Sequence, residues 1–506
     1  MPRKTLTDAF DAGFALECLF LFEANLARGA EGMSHRRSTI HGLRTSAALA
    51  ALLSLMLATG PAFARQAAPR DPAEPLEGKP PVKSLPRPAG AVARQSIDEK
   101  SMRTLIHDLV SCGTRLTLSS WSDPQRGIGC GRDFVVARLN EIVKDSGGKL
   151  QIVVDKFESK SERTGPNPVH LENVYAILPG SDPALEKTVF IVVGDMDSRP
   201  SNVMDAEADA PGADDDGSGT AVSVECARLL GKAAASGRAK FRGTLLFGVL
   251  SGEEQGLLGA YRLLEWTKEQ GYTVGAMLDN DIVGADPAPG GPHRVRVFSG
   301  NGEIEDCDSP ARELARAIEE IAGPSAIRMI FRQDRYGRGG DHFPFYKAGL
   351  PAVRFTEPLE DYNHQHQTPR TENGIEYGDF EKYLNYTFMG NVARDNAEVL
   401  RQLAMAPAPP SNARLKGAVT PDAKVSWAAD SDAERAGFEV LWRETTDPRW
   451  RVYEFVAEPG EAVLKGVSTD NHFFAVRSVG KNGARSIAVP TEMERRTPPG
   501  PTPAKQ

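Results

Sequence analysis

Between residues 96 and 405, short apolar runs alternate with stretches of helical periodicity, and this alternation constrains the fold more than any other feature. TVFIVV (188–193), TLLFGVL (244–250), RVRVFS (294–299) and AVRFTE (352–357) are continuous apolar or β-branched runs of strand length. Between them, GTAVSVECARLLGKAA and SPARELARAIEEIA place apolar residues at three- and four-residue intervals. Continuous hydrophobic strands need cover on both faces. The pattern predicts an α/β fold: a mixed, mostly parallel sheet with helices on both faces. Ligands of such sheets collect at the carboxyl ends of the strands.

APAPPS (406–411) ends this pattern. Over 412–490, KVSWAA, GFEVLWRET, WRVYEFVAE, AVLKGV and HFFAVRSV alternate with period two and are separated by Asp, Gly and Pro turns. A small all-β sandwich is expected there, similar to a fibronectin type III module, followed by a disordered tail over 491–506.

The other end carries an address. MSHRRSTIHGLR supplies a basic lead from Met33, TSAALAALLSLMLATGPAFA a short apolar run, and Ala62-Phe63-Ala64 a small-residue cleavage pattern. Residues 33–64 read as a signal peptide, and the run is too short for a stable membrane span. Residues 1–32 read as an upstream extension and 65–95 as a flexible, Pro/Ala/Arg-rich lead-in. The expected location is exported, periplasmic or secreted. Export permits disulfides, and Cys112 and Cys130, in one short segment, are a candidate pair. Cys226 and Cys307 show no zinc-finger spacing and read as buried thiols. A net charge of −8 without a clustered basic patch argues against a nucleic-acid partner.

Carboxylates gather at the strand ends. TVFIVV runs into GDMDS, with Asp195 and Asp197 pointing to one face of an extended chain. PGADDDGSG then sets Asp214, Asp215 and Asp216 ahead of a helix, and TLLFGVL runs into SGEEQGLLGA with Glu253 and Glu254. LDNDIVG adds Asp279 and Asp281, and GGDHFPF and NHQHQT add His342, His364 and His366. Singly these are solvated turns or helix caps. Together at successive strand ends their mutual repulsion calls for a cation, so a metal site is expected.

The order GxxDS, GADDDGSG, GEEQGLLG, NDIVG, GGDH and HQ resembles the zinc exopeptidases of the bacterial leucyl aminopeptidase type, the clan that also holds glutamate carboxypeptidase II. The resemblance covers roughly residues 100–402. It implies two divalent ions about 3.5–4 Å apart, zinc first, bridged by Asp215, with Glu254 and His366 on one and Asp281 on the other. It implies Glu253 as general base, peptide substrates, and a cis peptide after the bridging Asp. One position departs: the family usually has GHxDS, with the His a ligand and the Asp its orienter, where this chain has Asp195 and Asp197. Either Asp195 ligates through oxygen or the second site is lost. The first is preferred because the replacement is itself a good ligand. An all-oxygen site would favour Mn, Mg or Ca, and Asp197 would need the metal or Arg199 to offset its repulsion from Asp195. Tyr336, Arg338 and His342, in DRYGRGGDH, are candidates to contact the oxyanion or substrate.

The leading expectation is an exported metallo-exopeptidase, an aminopeptidase by resemblance. A glutaminyl cyclase-like acyl transferase, with one zinc on Asp, Glu and His, is the first alternative. A non-catalytic binding or adhesion relative is the second; the presence of Glu253 argues against it. The β-sandwich is a candidate for contacts with protein or cell-wall polysaccharide.

Overall fold

A computed structural model describes residues 85–88 and 96–494, apart from positions 289, 303, 305 and 306. The expectations for 1–32, 33–64, nearly all of the lead-in and the end of the tail lie outside the described residues. Among the described residues no helix is long and apolar enough to cross a membrane.

The central sheet has eight strands: β1 (Gln151–Ser159), β2 (Val169–Leu178), β3 (Thr188–Asp195), β4 (Thr244–Leu250), β5 (Thr273–Asn280), β6 (Val295–Phe298), β7 (Ile327–Ile330) and β8 (Ala352–Thr356). Their spatial order is β1-β2-β4-β3-β5-β8-β6-β7. The middle four, β4, β3, β5 and β8, run parallel, and antiparallel β2 and β6 flank them. The strands' two-residue period feeds two cores. In β3, Phe190 and Val192 face one, and Val189, Ile191 and Val193 face the other. The first core is covered by α1 (Glu99–Ser111), α2 (Ile128–Asp145), α3 (Gly217–Ala235), α5 (Pro310–Ala322) and α7 (Tyr386–Met405). The second is covered by α4 (Leu258–Glu269) and α6 (Phe343–Lys347). Cys112, at the end of α1, and Cys130, in the first turn of α2, form a disulfide with Cα atoms 5.9 Å apart.

The parallel strands position the site. Asp195 lies level with Leu250, so Glu253 and Glu254 emerge three and four residues beyond it, and Val193 lies level with Asp279, two residues short of Asp281. All four leave the sheet at one edge.

From Ser411 to Met493 the chain is all β. Two four-stranded sheets, one containing β9 (Ser411–Lys416) and β10 (Ala423–Ala428), the other β11 (Arg435–Glu444) and β12 (His472–Gly480), enclose a common core. Val425 from one sheet and Phe438, Val440, Phe474 and Val476 from the other are fully buried in it, giving a sandwich.

Candidate metal centre

The Asp214–Asp216 run divides its labour. Asp216 caps α3, accepting from the Gly219 N–H at 2.8 Å, and also accepts from the Asp195 and Ile282 N–H groups. Asp214 accepts from the Gly284 N–H at 2.8 Å. Asp215 alone turns its carboxylate to the cleft, and its peptide bond to Asp216 is cis. Asp379, a residue the sequence reading passed over, accepts from the N–H groups of both Asp214 and Asp215 at 2.8 Å. Two outer carboxylates therefore tie down backbone so that the middle one can be held out.

Three ligand atoms meet there. His366 Nε2 is 2.9 Å from Asp215 Oδ2 and 3.1 Å from Glu254 Oε1, and the three groups form the one such cluster among the described residues. Two carboxylates and an imidazole are a donor set that zinc accepts, with a coordination position left over. His366 sits at φ 55°, a left-handed backbone that a non-glycine residue adopts at a cost. Burial lowers the His366 pKa, but Glu254 and Asp215 outweigh it and raise the ring to about 10. Burial pushes Asp215 up, yet His366, Arg338 and Arg354 hold it below the usual carboxylate range. Two buried carboxylates this close demand a cation between them. The group fits a divalent ion.

Glu253 lines the same cleft beside Glu254. Burial, then Asp281, Glu254 and Asp341, push its carboxyl well above the usual range, against Arg354. Asp197, expected to orient a metal ligand, instead accepts from the backbone. Its Oδ1 takes the Gly252 and Glu253 N–H groups (2.7 and 3.2 Å), and its Oδ2 the Glu254 N–H and the Thr117 hydroxyl (3.2 and 2.9 Å). It fixes the loop that carries Glu253 and Glu254. Arg199 does not offset the Asp195–Asp197 repulsion; it lies 3.6 Å from Glu254 Oε2.

Asp195 and Asp281 are buried but fall outside the three-ligand cluster. Asp281 Oδ2 is instead 2.6 Å from Arg354 Nη1, while its Oδ1 is buried without a donor. Of the three oxyanion or substrate candidates, only Arg338 lines the cleft, paired with Glu360 at 2.7 Å. Tyr336 is 87% exposed, beneath the Arg332 guanidinium and away from that lining. His342 is fully buried, its ring nitrogens engaged by Asp279 Oδ2 at 3.2 Å and the Gln333 carbonyl at 2.8 Å. Neither Tyr336 nor His342 lines the cleft, so the structure brings only Arg338 of the three to it.

The cleft encloses about 610 Å³ and is lined by Arg163, Arg199, Arg335, Arg338 and Arg354 as well as the acidic groups. The sequence reading singles out Arg199 and Arg338, but not the wall they form with the others; its arginines come from four separate stretches of chain.

Known proteins are similar to this chain. Residues 173–387 match peptidase family M28. A protein of Leptosphaeria maculans described as a probable zinc metalloprotease is 38% identical over 417 residues, 78% of this chain and 95% of the relative. One of Phaeosphaeria nodorum with the same description is 34% identical over 498 residues, 90% of this chain and 98% of its own length. Among solved structures, an aminopeptidase, LapA of Legionella pneumophila, aligns with TM-score 0.46 at 17% identity over 66% of this chain and 79% of that one. A glutaminyl cyclase of Porphyromonas gingivalis aligns with TM-score 0.43 at 18% identity over 60% and 98%. With the ligand cluster at the strand tips and relatives matched over nearly their whole length, the chain belongs to peptidase family M28.

Proposed function

We propose that this chain is an exported, zinc-dependent exopeptidase, with Asp215, Glu254 and His366 holding the catalytic ion and Glu253 as the general base. The observation that carries this reading is the convergence of those three side chains beside Glu253 in one cleft. When bound, the ion lowers the pKa of a water toward about 7 and polarises the scissile carbonyl. Glu253, fixed from behind by Asp197, would take a proton from the attacking water as its oxygen adds to the scissile carbonyl carbon, and would deliver it to the amine as the C–N bond breaks.

The resemblance favours an aminopeptidase. A second reading, cleavage next to a free carboxylate, draws on the arginine wall: Arg163 and Arg199 face the cleft with few carboxylates of their own, which suits a substrate's anionic end better than its ammonium. A glutaminyl cyclase-like transferase would use the same three ligands. Aminoacyl-nitroanilides, N-blocked dipeptides with free carboxylates, and N-terminal glutaminyl peptides, each assayed with and without zinc, separate these reactions. No turnover on any of them would support the non-catalytic alternative and overturn the enzyme reading.

The Cys112–Cys130 disulfide supports export, since such bonds persist in oxidising compartments. Finding the processed chain in a periplasmic or medium fraction is the check. Contact of the β-sandwich with protein or cell-wall polysaccharide is tested by co-sedimentation with cell-wall fragments.

A further inference from the structure

Arg354 is the group at this site that the reaction above leaves unused. It stands on β8 directly beside Asp279 of β5, at 1% exposure, with Asp281 and Asp334 against its guanidinium. Its Nη1 is 2.6 Å from Asp281 Oδ2 and donates to the Gly339 carbonyl at 2.7 Å; Asp334 Oδ2 is 3.8 Å away. Its Nη2 lies 3.4 Å from the Asp281 carbonyl oxygen.

Asp281 and Asp195 are the residues from which a second divalent ion would have to be built. They do not fit one. Neither belongs to a ligand cluster among the described residues; Asp281 Oδ2 faces the Arg354 guanidinium, and only its Oδ1 is left without a donor, a single oxygen. An arginine stays charged at any working pH and donates through a rigid planar fork, so it stands in for a cation electrically while repelling a metal that approached the same oxygen. The fold makes room for it. A Cβ on Gly340 would come within 2.3 Å of Arg354 Nη1 and 2.9 Å of Asp279 Oδ2, so the loop passes only because residue 340 has no side chain. Arg335 pairs with Asp334 at 2.9 Å and with Glu360 at 3.0 Å, which fixes one of the carboxylates near Arg354.

We propose that the guanidinium of Arg354 occupies the place of a second metal ion, and that this chain binds a single divalent ion, on Asp215, Glu254 and His366. The proposal rests on the metallopeptidase reading and revises the two-ion expectation. Asp195 then contributes no coordination, and the Arg354–Asp281 pair is a fixed part of the protein that no chelator removes.

Metal content of the full chain, measured after equilibration with buffered zinc and by calorimetric titration of the metal-free protein, decides it. One zinc per chain is expected. Two would overturn the proposal and leave the metallopeptidase reading intact, whereas none would overturn both. The single ion should disappear in His366→Ala and persist in Asp195→Asn, with zinc affinity within about threefold of wild type; the opposite pattern would overturn the assignment. Neither variant disturbs the Arg354 pair. In the double variant Arg354→Met/Asp195→His, the count should rise to two, and a folded double variant that still binds one ion would rule the guanidinium out as the occupant. Cobalt absorption gives a readout independent of turnover, saturating at one equivalent in the wild type.

Discussion

Glu253 and His366 have separable roles, because one takes a proton while the other holds a cation. Glu253→Gln preserves shape and removes the base: zinc content should stay at the wild-type value while kcat falls about 10²- to 10⁴-fold. His366→Ala should lose both metal and turnover, and metal analysis alongside kcat distinguishes the two. Arg115 acts at a distance. It is fully buried and donates to the carbonyls of Met196 (2.8 Å), Leu109 (3.2 Å), Pro211 (2.6 Å) and Gly212 (2.8 Å), bracing both the β3 tip and the loop into Asp214. Arg115→Met leaves those carbonyls buried without a donor. It should cost about 3 kcal/mol or more in urea unfolding and weaken zinc binding about 10- to 100-fold. Residues of this second kind could not be found by pattern. Asp214–Asp216, Glu253–Glu254 and the late histidines stood out because they lie in short motifs at strand ends or a late loop, and the resemblance to zinc exopeptidases picked Asp215, Glu254 and His366 from among them. Arg115, Asp379 and Arg354 are single residues whose partners are remote in sequence, and nothing local marks a buried arginine before the fold brings its carboxylates to it.

Strands and helices were foreseeable where their periodicity is undisturbed. The runs at 188–193 and 244–250 fall inside β3 and β4, whose every second residue feeds the opposite core. The run at 294–299 is less simple: β6 is antiparallel to β8, a direction that composition cannot encode because both pairings bury the same side chains. The short α6, with its Phe343-Pro344 start, escapes periodicity altogether at five residues, yet it aligns the His342 backbone with Asp279. At this scale the disulfide is the testable feature. It links the end of α1 to the start of α2 across a sequence separation of 18 residues, a loop whose closure contributes about 3 kcal/mol in the chain-entropy account. Cys112→Ser/Cys130→Ser, or reductant added to the wild type, should lower thermal stability by that order. Calorimetry with and without reductant checks both, and the double variant should be insensitive to reductant.

The β-sandwich is joined to the peptidase portion through buried charge, and that joint sets how the whole molecule responds to pH. Helix α5 presents Glu313, Arg316, Glu319 and Glu320 to it. Trp450 Nε1 donates to Glu313 at 2.6 Å, Arg316 to the Pro448 carbonyl at 2.7 Å, Arg449 to Glu319 at 2.6 Å and Arg477 to Glu320 at 2.5 Å, while Arg443 pairs with Asp308. Removing the sandwich would strip partners from buried carboxylates on α5, so the two portions should unfold in one transition. Glu313 is the sensitive member. Burial raises its carboxyl to about 7, although Arg316 and Trp450 both favour the charged form. Its ordinary value is near 4.5. Between those two values the folded chain holds a proton that the unfolded chain releases. Stability is therefore fully present below about pH 4.5 and is lost as pH rises through about 7, by at most about 3 kcal/mol. Glu313→Gln keeps an acceptor for Trp450 but cannot ionise. Other groups titrate over the same range in both proteins, so the difference between them isolates Glu313. In urea unfolding from pH 5 to 8 the wild type should lose ground to the variant steadily as pH rises. Parallel curves would show that Glu313 is ionised in the folded protein throughout, with Arg316 and Trp450 prevailing over burial.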